Sequence, residues 1–213
     1  MANVSRVNGF RPVKHLTGAP YNGQANIYEV PAGEAIPVFI GDMVALSTVA
    51  STAGYPAVAS VSTATSVNIA GVAAAAIVGV VVGVVNAKLD VDGKMSTGSV
   101  TLDIPIYRPA STKQFVLVAD APDLIFEADA TASIALADIG LNADIGWIVY
   151  TNPLVTGSSP MQVSTTAVSS TATRPLQLMG FSKRIDNEPA GTDNKVLVRI
   201  NTHQYGAAGL AGV

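Results

Sequence analysis

The stretch Ile106–Asp129, IYRPASTKQFVLVADAPDLIFEAD, decides the fold. Within it, Gln114–Ala119 is apolar at every position from Phe115 to Val118, not at alternate ones. A run of that length and pattern predicts a strand covered on both faces. Asp120, Pro122 and Asp123 then punctuate the chain. Proline presets φ, and the flanking aspartates can accept from nearby backbone N–H groups. Leu124, Ile125, Phe126 and Glu127 form a second run. The whole stretch therefore predicts a β-hairpin at the centre of a β-rich domain. No residue in it is of a catalytic kind; it reads as scaffold.

On the N-terminal side, Ile27–Val30, Ile36–Ile40 and Met43–Leu46 are short strand-like runs, the last two joined by a Gly41-Asp42 turn. From Met43 to Ala87 there is no Asp, Glu, Lys or Arg, and Ile69–Val85 is nearly long enough to span a membrane. However, β-branched residues between Gly71, Gly79 and Gly83 suit strands, and neither an aromatic belt nor a basic cluster flanks the run. Two buried strands, Val67–Ala74 and Ile77–Val85, are expected. Lys88–Met95 reads as a hairpin turning at Asp92-Gly93, and Val100–Ile104 leads through Pro105 into the central stretch.

On the C-terminal side, Ala130–Ala137 predicts a short helix and Gly140–Asp144 a turn, followed by a strand over Trp147–Tyr150. Thr151–Arg174 is Ser/Thr-rich and reads as an exposed loop with one weak strand near Met161–Ser164. Leu176–Phe181 and Val196–Ile200 are closing strands joined by a hairpin loop, with Val196, Val198 and Ile200 facing inward. The expected fold is all-β, mainly an antiparallel β-sandwich or barrel, with at most one or two short helices. An extended N-terminal arm (1–26) precedes a single β-rich domain (27–205), and a flexible tail (206–213) follows it.

A chain of 213 residues can bury a sizeable core, and it has no cysteine to form disulfides or thiolate sites. Only 13% of residues are charged, against roughly 25% in ordinary soluble domains, so much of the surface is expected to meet another protein. A net charge of −3 argues against a nucleic-acid footprint. The N-terminus has no apolar h-region, so no secretory signal is expected.

No catalytic, cofactor or metal site emerges. His15 and His203 have no second ligand at metal spacing, and no G-x-S-x-G, S-x-x-K or phosphate-loop pattern occurs. Asp90-x-Asp92-Gly93 lacks the later oxygen ligands of a calcium loop. Asp120, Asp123, Glu127 and Asp129 cluster in sequence, but they read as turn and strand-end residues. In the arm, Gly9, Pro12, Gly18, Pro20 and Gly23 break regular structure between Phe10, Tyr21 and the basic residues Arg6, Arg11 and Lys14. The arm is either a loosely attached terminus or a segment that docks on a neighbour through its aromatics.

Several motifs, taken in order, carry a resemblance. They are NGFRPVKHLTGAPYNGQ, the strand containing Tyr28, the Gly41-Asp42 turn, GVVVGV, YRPAST, VLVADAPDLIFE, GLNAD, DNE and KVLVRINTHQYG. Together they resemble a family of tailed-bacteriophage head proteins, variously called decoration, capsid-stabilising or cement proteins. The likeness spans nearly the whole chain, with departures at Ser47–Ala76 and Lys88–Leu102 that look like elaborated loops. It implies a structural, non-enzymatic virion protein, made in the host bacterial cytoplasm and bound to the capsid exterior, where it bridges major capsid protein subunits. A homotrimer is the expected form and a dimer the alternative, with neither nucleic acid nor membrane as partner. The expected interface residues are Phe10, Arg11, His15, Tyr21 and Tyr28. Deleting residues 1–26 is expected to weaken shell binding and leave the domain folded. The competing readings are a self-assembling shell subunit and a β-sandwich ligand-binding module.

Overall fold

The computed structural model describes residues 3–61, 76–85, 87–89, 95–100, 106–147, 157–189, 191–206 and 212. In chain order, the first seven strands are β1 (Arg11–His15), β2 (Asn26–Val30), β3 (Met43–Leu46), β4 (Val58–Ser60), β5 (Ile77–Val85), β6 (Ala87–Leu89) and β7 (Met95–Val100). Then come β8 (Gln114–Ala119), β9 (Leu124–Asp129), β10 (Asn142–Trp147), β11 (Met161–Ser169), β12 (Leu176–Phe181) and β13 (Lys195–Ile200). A six-stranded sheet runs β1-β9-β13-β12-β10-β11, a five-stranded sheet runs β2-β8-β5-β3-β4, and β6 pairs with β7. The strand pairs are antiparallel, and the two large sheets pack as a β-sandwich.

The five-stranded sheet also curls toward closure. Ahead of β4, Ala57 forms a parallel bridge with Glu29 of β2, and the Glu29 N–H donates to the Pro56 carbonyl at 3.0 Å. Its strands therefore have two apolar faces. Ile77 and Val80 of β5 join the core between the sheets, whereas Val78 and Val81 join a second cluster with Tyr28, Val30, Val38, Val44, Val58, Val116 and Val118. Unbroken apolar runs such as VLV and VVV follow from this, because both sides of the pleat are dry.

One end of the second cluster is covered by the segments around Val38 and Arg108, which bridge each other. Arg108 is fully buried, and its guanidinium donates to the carbonyls of Thr112, Ile36 and Pro31 at 2.7, 2.7 and 2.6 Å. Burial pulls its pKa below the ordinary arginine value. A buried cation is tolerable there because carbonyl dipoles satisfy it.

Several expectations are corrected. β8 and β9 do not form a hairpin: β8 lies between β2 and β5, and β9 between β1 and β13. With both edges of each strand taken by other partners, Asp120–Asp123 becomes a corner carrying the chain from one sheet to the other. The expected helix over 130–137 does not form, and residues 130–135 are not helical. Ala130 bridges Val163, and only Leu136–Asp138 forms a 3₁₀ turn, capped when the Asp138 carboxylate accepts from the Ala135 N–H. Asn142–Asp144, expected in a turn, opens β10 instead. β11 begins at Met161, where a weak strand over Met161–Ser164 is expected, but it runs for nine residues to Ser169, and Met161, Gln162, Val163 and Ser164 are buried and not part of an exposed loop. Polar composition misled there, since the polar residues line a strand that β10 covers. The run 36–40 holds only isolated bridges, at Val38 and Ile40.

Other expectations match. Val196, Val198 and Ile200 face the core, and β12 pairs with β13. Leu89 of β6 pairs with Met95 of β7 as the predicted hairpin requires, although its Asp92-Gly93 turn lies outside the described residues. The expected strand 67–74, residues 101–104 and 148–150, and nearly all of the tail lie outside them too.

Candidate interaction surface

The N-terminal segment is woven into the sandwich. Residues 11–15, expected within an irregular arm, form the edge strand β1 against β9, with Arg11 opposite Glu127 and His15 opposite Leu124. Phe10 is 1% exposed and sits in the core between the sheets, so its ring is an internal anchor and not an exposed one. Its N–H donates to the Gly41 carbonyl at 3.0 Å. Gly41 has φ +95, and a Cβ there would lie 2.6 Å from the Asn8 carbonyl oxygen, so this crossing requires glycine.

The other expected interface residues divide. Arg11 is exposed. His15, Tyr21 and Tyr28 gather at the Asp120–Asp123 corner. His15 Nδ1 lies 3.1 Å from both oxygens of Asp123. The Tyr28 hydroxyl donates to Asp120 Oδ2 at 2.6 Å, and Asn26 Nδ2 donates to both Asp120 oxygens at 3.0 and 2.9 Å. Tyr21 packs on the core and donates its hydroxyl to the Gln24 carbonyl at 2.9 Å. Burial raises the pKa of both tyrosines, followed by the Asp120 charge for Tyr21 and by hydrogen bonds to Asp120 and Tyr205 for Tyr28. Of the five, then, Phe10 and Tyr28 are buried, His15 and Tyr21 are half-buried, and Arg11 alone is open.

Sequence reasoning missed what Asp120 and Asp123 do. Both look like backbone-capping turn residues, yet their partners lie 92 to 108 residues away. Tyr205 was missed as well: its hydroxyl is 3.4 Å from that of Tyr28, and its N–H donates to His203 Nδ1 at 3.1 Å. His203 is buried, and desolvation lowers its pKa despite the nearby Asp120. With Nδ1 accepting, the neutral ring carries its proton on Nε2. His203 also forms an isolated parallel bridge with Ile77.

Beside β1 lies a groove of about 300 Å³, lined in part by Phe10, Pro12, Tyr21, Ile40, Val81 and Val82. Ile40 of this lining is 40% exposed, and the N-terminal segment carries two further exposed apolar side chains, Val13 at 41% and Leu16 at 49%. Among the described residues no group of three or more His, Asp or Glu is placed to hold a metal. No helix among them is long and apolar enough to cross a membrane. Comparison with known protein families, characterised proteins and solved structures finds no match.

Proposed function

We propose that this chain is a structural virion protein that binds the outer surface of a tailed-phage capsid and stabilises the shell by bridging major capsid protein subunits. The observation that carries the proposal is the apolar flank at β1, where a groove lined by Phe10, Val81 and the exposed Ile40 adjoins a segment that also exposes Val13 and Leu16. On a chain with only 13% charged residues, such a flank is poorly protected against association and suits a protein partner. The resemblance to decoration and cement proteins supports the same reading. Stabilisation then follows from mass action: a protein that binds the assembled shell and not its dissociated subunits lowers the free energy of the assembled state. Repetition of the contact around a homo-oligomer, with a trimer favoured, converts modest contacts into avidity.

The test is co-sedimentation with shells built from the major capsid protein of the phage that encodes the chain. Saturable binding, together with a raised shell melting temperature, is expected. A protein that stays in the supernatant at saturating concentration overturns the proposal.

A further inference from the structure

A second depression adjoins the N-terminal segment, with a volume of about 120 Å³. Four cations line it (Arg6, Arg11, Arg184 and Lys195) against two carboxylates, Glu127 and Asp129. That is an excess of two positive charges on a chain whose net charge is −3, and it collects four of the twelve Lys and Arg residues.

Both carboxylates are already engaged from within. Glu127 accepts from Ser182 Oγ and from Arg184 at 3.3 Å. Asp129 accepts the Arg6 backbone N–H at 2.8 Å and faces Lys195 Nζ at 3.6 Å. Arg184 is held further by Asp186, and Lys195 Nζ donates to the Val4 carbonyl. The guanidinium groups of Arg6 and Arg11, both exposed, have no hydrogen-bond or ion-pair partner among the described residues. Arg108, Arg174 and Arg184, by contrast, find carboxylates or carbonyls. Arg11 and Asn8 also line the apolar groove beside β1, so the cationic depression and that groove meet along residues 8–11.

We infer that the joined surface binds an extended segment of a protein partner carrying a carboxylate side chain next to an apolar one. Arg6 and Arg11 take the carboxylate through paired N–H donors, and the Phe10–Ile40–Val82 groove takes the apolar neighbour. A partner of that chemistry complements both halves of the site, whereas a free anion would use only the first. The inference rests on the shell-binding reading only for which protein supplies the segment.

The experiment uses the full chain and a fluorescein-labelled peptide, Glu-Leu-Glu-Leu-Glu, followed by anisotropy. Saturable binding that weakens with salt is expected, and the double variant Arg6→Glu/Arg11→Glu should weaken it at least about tenfold. Arg11→Gln, which removes the charge without reversing it, should give a smaller loss at an unchanged melting temperature. Equal binding by both variants overturns the inference, as does equal binding of Lys-Leu-Lys-Leu-Lys. Competition by inorganic phosphate or acetate as effective as that by unlabelled peptide would make this a free-anion site and overturn it too. Self-association of the wild-type chain that the double variant abolishes would make the occupant a second copy, with the same consequence. Shell co-sedimentation separates this inference from the function proposed above. Wild type and double variant binding shells equally sinks the inference alone, whereas peptide binding without shell binding sinks the function alone.

Discussion

Tyr28 and Asp120, 92 residues apart, are joined by a 2.6 Å hydrogen bond in which the phenol donates to the carboxylate. This bond fastens the edge strand β2 of the five-stranded sheet to the corner at which the chain crosses to the six-stranded one. Tyr28→Phe keeps the buried ring and removes only the donor. A bond to a charged acceptor contributes about 1.5–3 kcal/mol, so the melting temperature should fall by several degrees. Asn26→Ala removes the remaining side-chain donors to Asp120 at a more exposed position and should cost less. Thermal unfolding followed by circular dichroism checks the order.

Asp42 makes stability depend on pH. It is fully buried, Oδ2 accepts the Phe39 N–H at 2.9 Å, and Oδ1 has no partner. Burial pushes its pKa up to about 7, against hydrogen bonds from Ser159, Phe39 and Ser60 that act downward. A folded-state pKa above the unfolded value means that the contribution is fully present below about pH 4 and is lost as pH rises through 7. Urea unfolding should show stability falling by up to roughly 4 kcal/mol between pH 4 and 8 on this account. Asp42→Asn should remove most of that slope. Asp129, whose pKa burial also raises, contributes a slope of the same sign, and His203, whose pKa burial lowers, contributes one of the opposite sign.

Two glycines of the same strand should respond differently to alanine. A Cβ on Gly79 would collide with the backbone carbonyl of Ala119 in β8, whereas on Gly83 it would meet only the Leu117 side chain, at 3.4 Å. Backbone held in the middle of a sheet cannot withdraw, so Gly79→Ala should destabilise by several kcal/mol or prevent folding. Gly83→Ala should change stability by no more than about 1 kcal/mol. Chemical denaturation of the two variants side by side is the measurement.

The N-terminal segment should prove necessary for folding. Phe10 fills the core between the sheets and β1 completes the six-stranded sheet, so removing residues 1–26 exposes β9 and leaves a hole. The truncated chain should lose cooperative unfolding, in contrast to the intact domain expected from sequence. Phe10→Ala alone should cost about 3–5 kcal/mol. A truncated chain with a sharp, unshifted transition would contradict the packing of Phe10.

The sequence by itself determined where many strands lie. Ile77–Val85, Gln114–Ala119 and Leu176–Phe181 are strands over the spans read from their residues. Local apolar pattern and β-branching act within a few residues, so they can be read locally. Only the tertiary structure decided which strands pair. β8 and β9 look like two arms of a hairpin but belong to different sheets, because β5 and β13, distant in sequence, take their edges. Backbone hydrogen bonds carry no side-chain signature, so a strand's partner is invisible in its own residues. The same holds for the interaction surface. Arg11 could be named from the sequence, but its meeting with Arg6, Arg184 and Lys195 depends on β1 lying against β9 and on β9 lying against β13. Phe10 and Tyr28 could be named from the sequence as interface aromatics, yet whether an aromatic meets a partner or its own core is fixed by burial. Burial is a property of the folded assembly of strands, not of the segment that carries the ring.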